Sequence, residues 1–350
     1  MNMFTNLKIK NFKSIVDYDF EFKPFTILSG TNSSGKSSVI QSILFYSYHS
    51  NADIYLEEYL GNFGNVSNLL YFNNTRDQTI EITPSIDGKK LSPLMSNNTG
   101  DWQQLTNNHF FKFEKELFHL CSNRIGQENL SKIHKTLRSG NNGEYLFGFY
   151  EEAKNQALKN KELVSTQDSD TLSMQVEFWL TKILDLKIKP ITQKIDTNNI
   201  RIYYKDESGF ELLPFNLGAG IGYLTKILIL GLSLEKGNVL IIENPEVHLH
   251  PKAIAKLTDF FVFLVNAGIQ VILETHSEHL LNKTRWNVFK HQISHDVVKI
   301  YYKSNAIDNF IDLNINQQGR YTCENEGNEE IVEFPTGFFD SDLDELLEMA

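Results

Sequence analysis

Cysteine and proline are both scarce in this sequence, with two and eight occurrences among 350 residues. Cys121 and Cys323 lie far apart, and neither has the CxxC or Cys/His spacing of a zinc site. Two isolated cysteines also exclude a disulfide framework and are typical of a reducing compartment. We therefore expect the cytoplasm as the location. A chain of this length can bury a sizeable core without covalent supports.

Long hydrophobic runs are missing as well. The longest, ILILGLSL at 227–234 and FFVFLV at 260–265, are shorter than the roughly 20 residues that a helix needs to cross a bilayer. The first residues, MNMFTNLKIKNFKSI, lack the apolar segment of a secretory signal. The sequence therefore predicts no membrane role.

Positive charge is in deficit, because 33 lysines and arginines face 44 aspartates and glutamates, a formal net charge of −11. This balance argues against a protein covered in basic surface for nonspecific nucleic-acid binding. Between residues 111 and 205, however, basic residues outnumber acidic ones by 15 to 12. A DNA or RNA contact through this middle segment therefore stays open.

Strand-like runs alternate with helix-like segments at both ends of the sequence. This order predicts an α/β fold with a mainly parallel sheet, an antiparallel β portion at the N-terminus and a helical insertion. Helical spacing in the insertion is found at 109–125, HFFKFEKELFHLCSNRI, and at 170–186, DTLSMQVEFWLTKILDL. The expected divisions are an N-terminal lobe, the insertion, a C-terminal lobe and a terminal module, at 1–85, 86–199, 200–300 and 301–350.

A glycine- and serine-rich stretch fits the phosphate-binding pattern GxxxxGK[ST] with no substitution. Small residues let backbone N–H groups wrap the phosphates, while the lysine reaches the β and γ oxygens and the hydroxyl after it binds Mg²⁺. A chance Gly/Ser loop is the alternative, but a strand before it and an apolar helix after it favour a site for ATP and Mg²⁺. The residues of this site are Gly30, Thr31, Asn32, Ser33, Ser34, Gly35, Lys36, Ser37 and Ser38.

The apolar strand NVLIIE ends in a carboxylate, Glu243. A residue that reaches Mg²⁺ from the carboxyl edge of a sheet occupies such a position, so we expect Glu243 and Ser37 to hold the metal. A core strand that happens to end in glutamate is the alternative.

The strand VILET is followed by His276. An imidazole at this strand end can hydrogen-bond the γ-phosphate or the attacking water, although a buried structural histidine is the alternative. His248 and His250 alternate along the chain but have no third ligand nearby, so a metal site there is disfavoured.

Five motifs occur in one order: NFKSI, GTNSSGKSS, LGAGIGYL, LIIENPEVHLHP and ETHSEHLL. Together they resemble the ABC-type ATPase heads of the SMC and OLD group, over roughly 1–83 and 200–345. The compact bacterial AAA-like ATPases of this group also have a C-terminal turn that reads FPTGFFD here, at 334–340. The resemblance implies two paired heads with ATP between them.

In this family the signature segment of one head faces the phosphate loop of the other. The resemblance places that segment at Leu217, Gly218, Ala219, Gly220 and Ile221, with Gly218 in place of the usual serine. Backbone N–H groups at Gly218 and Gly220 can still serve the nucleotide. His276 takes the position of the switch histidine, and Gln78 is at a tolerable distance for a Q-loop glutamine.

Heads of this kind usually carry an Asp-Glu pair, in which the aspartate serves Mg²⁺ and the glutamate polarises water. Here the pair is Glu243-Asn244, and an amide cannot accept a proton. Glu246 is the nearest replacement base, so we expect slow ATP hydrolysis.

The resemblance implies an ATP-gated dimeric switch that controls a partner effector, such as a nuclease or another toxin, as in the Septu and retron systems of anti-phage defence. An SMC-like DNA-binding ATPase of repair or tethering is one alternative. An OLD-type nuclease is another, but it needs a Toprim module, for which the 74 residues after His276 are too few.

Overall fold

The structure is a computed structural model that describes residues 2–51, 54–71, 79–96, 101–103, 109–166, 168–325 and 328–333. The chain divides into two compact units. Unit 1 combines Met1–Phe113 with Ile272–Ala350, and unit 2 is the continuous segment Glu114–Val271. Unit 1 is therefore assembled from two segments that are distant in the sequence.

Strands and helices are numbered along the chain. The strands are β1 (Phe4–Phe12), β2 (Ile15–Glu21), β3 (Phe25–Gly30), β4 (Glu81–Ile86), β5 (Lys89–Lys90), β6 (Leu94–Met95), β7 (Leu117–Leu120), β8 (Leu130–Lys132), β9 (Ile188–Lys194), β10 (Asn199–Asp206), β11 (Glu211–Leu212), β12 (Val239–Glu243), β13 (Gln270–Thr275), β14 (Val298–Lys303), β15 (Ile311–Ile315), β16 (Tyr321–Asn325) and β17 (Asn328–Ile331). The α-helices are α1 (Lys36–Asn51), α2 (Ile54–Gly61), α3 (Leu146–Ala153), α4 (Leu172–Leu184), α5 (Ala219–Leu232), α6 (Pro251–Asn266) and α7 (Glu278–Phe289).

The first sheet of unit 1 is antiparallel, with the order β2-β1-β4-β5 and with β6 paired to β4. Leu7 and Ile9 of β1 are fully buried and are separated by the less buried Lys8, which is the pattern of a strand with one face on a core. The hairpin between β1 and β2 turns at Lys13, whose φ of 53° lies in the left-handed region. This turn carries Ser14 to the loop that follows β3.

The second sheet of unit 1 has the order β17-β16-β15-β14-β3-β13. β3 and β14 are parallel, with Gly30 opposite Lys303, and the pairs from β14 to β17 are antiparallel. Every residue of β3, β13 and β14 is buried, as expected for strands with both faces covered. These central strands hold the residues that follow β3 and β13 in fixed positions.

Unit 2 contains the parallel pair β7 and β12 and an antiparallel sheet in which β10 pairs with β8, β9 and β11. Helices α3 to α6 supply the rest of its core. Trp179 of α4 is 2% exposed, and its ring contacts those of Phe260 and Phe263 on α6. Aromatic side chains of this size contribute strongly to core stability, so this contact fixes α4 on α6.

The predicted α/β fold with an antiparallel N-terminal portion is confirmed. Helices form where the sequence predicts them at 170–186, after the glycine-rich turn near residue 220 and from residue 251 onward. β1, β2, β3, β12 and β13 also lie where strands are expected.

The helix predicted for 109–125 is wrong, because Leu117–Leu120 form strand β7. All four residues of β7 are buried, and a short continuous apolar run does not distinguish a buried strand from a helix. The insertion contains helices α3 and α4, but it also contains the strands β8 and β9, which the sequence does not predict.

The two units differ from the divisions expected at 85/86 and 199/200. Residues 86–113 group with unit 1 because β5 and β6 pair with β4, and 200–271 group with the later insertion in unit 2. Gln78 and the turn at 334–340 lie outside the described residues. Among the residues that the structure describes, no helix combines the length and apolar character that crossing a membrane requires.

Candidate functional site

The phosphate loop of unit 1 connects β3 to α1 in a conformation that needs glycine. Gly30 and Gly35 have φ values of 140° and 113°, which L-residues rarely adopt. A Cβ atom on Gly30 would lie 2.0 Å from the carbonyl oxygen of Lys303, and one on Gly35 would lie 1.8 Å from Oγ of Ser14. The two glycines therefore let the loop turn tightly between β14 and the β1–β2 hairpin.

Lys36 lies inside the loop that precedes it. Its ammonium donates to the carbonyl oxygens of Gly30 and Thr31, at 3.1 and 2.6 Å, and its side chain is buried. The amide of Thr31 donates to the carbonyl of Lys303 at 3.2 Å, and its hydroxyl donates to the carbonyl of Ser304. The ammonium of Lys36 therefore lies at the N-terminus of α1. Together they provide the hydrogen-bond donors that phosphate oxygens need.

The hydroxyl of Ser37 is hydrogen-bonded to a carboxylate from β13. Its Oγ donates to Oε1 of Glu274 at 2.9 Å, and Glu274 is 4% exposed. Glu274 was not predicted as a site residue, although it lies in the motif ETHSEHLL, two positions before His276. The contact joins the first turn of α1 to the end of β13.

His276 follows β13 and belongs to the same cluster. Burial lowers the pKa of its imidazole, the charge of Lys36 lowers it further, and a hydrogen bond with the backbone of Gly30 opposes both effects. The side chain is therefore neutral at neutral pH and lies beside the phosphate loop. Unit 1 thus brings together Lys36, Ser37 and His276, with Glu274 in addition.

Glu243 ends β12 in unit 2 and is held by three residues that sequence reasoning missed. Its Oε1 is 2.9 Å from Nε2 of His119, its Oε2 accepts from the amide of Ser122 at 3.2 Å, and its carbonyl accepts from Nη1 of Arg124 at 2.6 Å. Burial alone would raise the pKa of Glu243, but His119 and Ser122 hold it below its usual value. The carboxylate is therefore ionised and fixed.

Asn244 begins the turn after β12 with a φ of 45°. Asparagine tolerates this left-handed conformation better than most residues. Its carbonyl accepts from Nη2 of Arg124 at 2.7 Å and from the amide of Val247 at 3.3 Å. Glu246 lies in the same turn, half-buried, and its charge acts on Arg124, whose pKa is lowered chiefly by burial.

The segment with the predicted signature residues starts α5 in unit 2. Gly218 precedes the helix, and a Cβ on Gly220 would lie 2.3 Å from the carbonyl oxygen of His248. The imidazole of His248 stacks on the ring of Tyr223 with 5.4 Å between centroids. Gly218 and Gly220 line a cavity of about 240 Å³ together with residues of α4 and α6.

The imidazole of His250 caps α6, since its Nδ1 accepts from the amide of Lys252 at 3.2 Å. With His248 stacked on Tyr223, both histidines of this turn have structural contacts.

Within unit 2, two groups of predicted residues form. Glu243 and Glu246 lie in one turn, and Gly218 and Gly220 lie in one loop. His119 carried no sequence signal, because its segment resembles a helix. Arg124 carried none either, since its role depends on contacts with residues about 120 positions away.

Comparison with protein families identifies one match that covers residues 101–282, just over half of the chain. The family is described as "AAA domain, putative AbiEii toxin, Type IV TA system".

A relative among characterised proteins is the Old nuclease of Escherichia phage P2, which is 41% identical over 63 residues. The match covers 18% of this chain and 11% of the nuclease. The chain therefore corresponds to only a small part of that protein's length.

Solved structures of SMC heads are similar in fold. The SMC head bound to the C-winged helix domain of ScpA has a TM-score of 0.58 and 13% identity, with 89% of this chain and 97% of that chain covered. The Smc head with an extended coiled coil from Pyrococcus furiosus, bound to the C-terminal domain of ScpA, has a TM-score of 0.55 and 12% identity over 100% of both chains. At these identities the likeness establishes the fold of an SMC-type ATPase head.

Proposed function

The chain belongs to the AAA-domain family that matches residues 101–282, and on this basis we propose that it is an ATP-driven switch that pairs with a second copy and controls a partner effector. The coarse part of this statement, an ATPase domain of AAA and SMC-head type, follows from the family and the fold. The nucleotide, the pairing and the effector are the proposal.

The geometry of the phosphate loop carries the proposal. Two glycines that tolerate no side chain, the buried ammonium of Lys36 and the N-terminus of α1 converge on one loop. An ammonium and a helix N-terminus favour an anionic ligand over a neutral one, and the oxygens of a triphosphate can accept from both. In this role the loop from Gly30 to Ser38 binds ATP, and the Ser37 hydroxyl and the Glu243 carboxylate serve Mg²⁺.

Hydrolysis needs a group that takes a proton from water, and Asn244 cannot supply it. Glu246 lies in the same turn and is the proposed base. Glu246 is two residues beyond the position of the usual base, and its charge acts on Arg124. We therefore expect slow turnover, with His276 beside the loop as a hydrogen-bond partner of the γ-phosphate.

Pairing of two copies is supported by the position of the signature loop. Gly218, which is exposed, and Gly220, which is buried, line a cavity in unit 2 at the start of α5, and a helix N-terminus is a favourable place for an anion. The fold is that of SMC heads, which supports a regulated protein partner. The family's description names a toxin system, and the local match to a phage nuclease is compatible with a nuclease or other toxic effector in anti-phage defence.

Replacing Lys36 tests the proposal directly. Lys36→Ala removes a charge-assisted contact worth about 1.5–3 kcal/mol, so we expect ATP affinity to fall about 10- to 100-fold in calorimetric titration. Lys8→Ala, at a half-exposed lysine of β1 in the same unit, is the matched control and should bind ATP normally. Unchanged ATP affinity in Lys36→Ala would exclude this loop as the nucleotide site.

A further inference from the structure

We propose that Glu274, which binds the hydroxyl of Ser37, is a further residue of the divalent-cation site beside the phosphate loop. Mg²⁺ is the cation that this pair fits. This inference deepens the proposed ATP-binding function and rests on it. Sequence reasoning gave the carboxylate of the site to Glu243 alone, and Glu274 is the additional residue.

Contact between the two side chains is direct. Oγ of Ser37 donates to Oε1 of Glu274 at 2.9 Å, at the junction of the phosphate loop and α1. Because the hydroxyl gives its proton to the carboxylate, its lone pairs remain available to a cation. A carboxylate that orients a metal-binding hydroxyl in this way acts as the supporting partner that metal sites commonly have.

The chemistry of this pair matches magnesium. Mg²⁺ prefers oxygen ligands, keeps several waters and is usually held by one or two carboxylates plus the phosphates of its substrate. The hydroxyl of Ser37, oriented by the carboxylate of Glu274 beside a phosphate loop, fits this preference. Among the residues that the structure describes, no group of three or more His, Cys, Asp or Glu side chains forms a metal cage, so a cation here would depend on nucleotide phosphates.

The carboxylates of Glu243 and Glu274 have different hydrogen-bond partners. The two carboxylate oxygens of Glu243 are bound to His119 and to the amide of Ser122 within unit 2. Glu243 can therefore bind a cation only if its carboxylate shares or exchanges these two hydrogen bonds. Glu274 is bound to the hydroxyl that the phosphate-loop pattern assigns to Mg²⁺.

The position of Glu274 explains why its carboxylate stays in place. It is 4% exposed and is the penultimate residue of β13, a strand whose six residues are all buried. A strand of this kind fixes the direction of each side chain more firmly than a loop does. Glu274 is thus held at the edge of the sheet where Lys36 and His276 also lie.

The affinity of the protein for Mn²⁺ tests the proposal, and its measurement does not depend on ATP hydrolysis. Electron paramagnetic resonance measures free Mn²⁺ during titration of the protein with a nonhydrolysable ATP analogue present. Glu274→Gln keeps the size of the side chain and an acceptor for Ser37 but removes the charge. We expect Mn²⁺ affinity to fall about 10- to 100-fold, while affinity for the analogue in EDTA stays within about twofold of wild type. Glu274→Asp, which retains the charge, should recover part of the Mn²⁺ affinity.

Glu278→Gln is the matched control, at the first residue of α7 in the same unit, and should bind Mn²⁺ as the wild type does. Wild-type Mn²⁺ affinity in Glu274→Gln would overturn the inference and leave the proposed nucleotide site standing. Loss of analogue binding in EDTA would also overturn it, because Glu274 would then support the fold of the loop instead of a cation. If the wild-type protein binds no analogue, the proposed function itself fails.

Discussion

Asn244 illustrates how backbone geometry and chemistry compete at a single residue. The turn after β12 requires a φ of 45° there, and asparagine meets that requirement at low cost. Its carbonyl is also bound by Arg124. The same residue cannot accept a proton, so any base must come from a neighbour. Glu246 in the turn is the first carboxylate that follows Asn244 in the sequence.

His276 allows a prediction about electrostatics in the cluster of unit 1. Burial is the largest cause of its lowered pKa, and the ammonium of Lys36 is the second. In Lys36→Met the burial remains and the charge is lost, so we expect the pKa of His276 to rise toward its usual value of about 6.5. Histidine Cε1–H chemical shifts measured by NMR between pH 4 and 8 give this pKa.

Assignment of the His276 signal follows from its absence in His276→Gln. Lys8→Met serves as control, because it removes an exposed lysine of β1 and should leave the titration unchanged. An identical His276 pKa in Lys36→Met and wild type would contradict the electrostatic interaction between the two side chains.

At the scale of single residues, the sequence predicts those candidate site residues that lie together in one short motif. Lys36 and Ser37 belong to one short pattern, and His276 directly follows a recognisable strand. Glu274, His119 and Arg124 were missed because their importance depends on a partner that is far along the chain, such as Ser37 for Glu274. No local pattern contains such a pairing.

At the scale of helices and strands, the segment from Cys121 to Glu128 contacts both the end of β12 and the start of α5 in unit 2. Arg124 binds the carbonyls of Glu243 and Asn244, and its guanidinium lies 5.4 Å from the ring centroid of Tyr223 on α5. Gln127 donates to the carbonyl of Leu217 at 2.5 Å, just before α5. The end of β12 and the start of α5 are therefore held by the same short segment.

Removing Arg124 should destabilise unit 2. Arg124→Ala leaves the buried carbonyl of Glu243 and the part-buried carbonyl of Asn244 without their charged donor, and such a loss costs about 2–3 kcal/mol. We expect a lower midpoint of urea unfolding, followed by circular dichroism. Arg201→Ala is the control, because that arginine is half-exposed and its pair with Glu211, at 3.7 Å, contributes less than about 1 kcal/mol. Equal midpoints for the two variants would refute this role of Arg124.

Helices and strands with a long and regular pattern of apolar residues could be predicted from the sequence, whereas short strands could not. Helix α6 spans 16 residues with one apolar face, and the sequence reveals it. Strand β9 contains Pro190 and four residues with polar side chains among its seven, so its alternating burial is visible only after it pairs with β10. Strand β7 has four residues, too few for its period to be read.

At the scale of the whole molecule, the proposed switch predicts nucleotide-dependent pairing. Glu246→Gln removes the proposed base without removing ATP contacts, so ATP should persist and hold two copies together. We expect this variant with ATP and Mg²⁺ to sediment at twice the 40.3 kDa mass of one chain, and at that single mass with ADP. Analytical ultracentrifugation measures both states.

The double variant Lys36→Ala, Glu246→Gln is the control for this experiment and should remain at the single mass at an ATP concentration that saturates only Glu246→Gln, because its affinity for ATP is lower. A Glu246→Gln protein that binds ATP yet stays at the single mass would rule out pairing through the nucleotide. Normal phosphate release by that variant would show that another group is the base.

The first turn of the phosphate loop is anchored to residues that the ribosome makes much later. The amide and hydroxyl of Thr31 are bound by the carbonyls of Lys303 and Ser304, and the 158 residues of unit 2, from 114 to 271, are translated in between. At about 5–20 residues per second, translation of that interval alone takes about 8–30 s. A nascent chain therefore exposes its glycine-rich loop without these two contacts for at least that time, until β14 has left the exit tunnel.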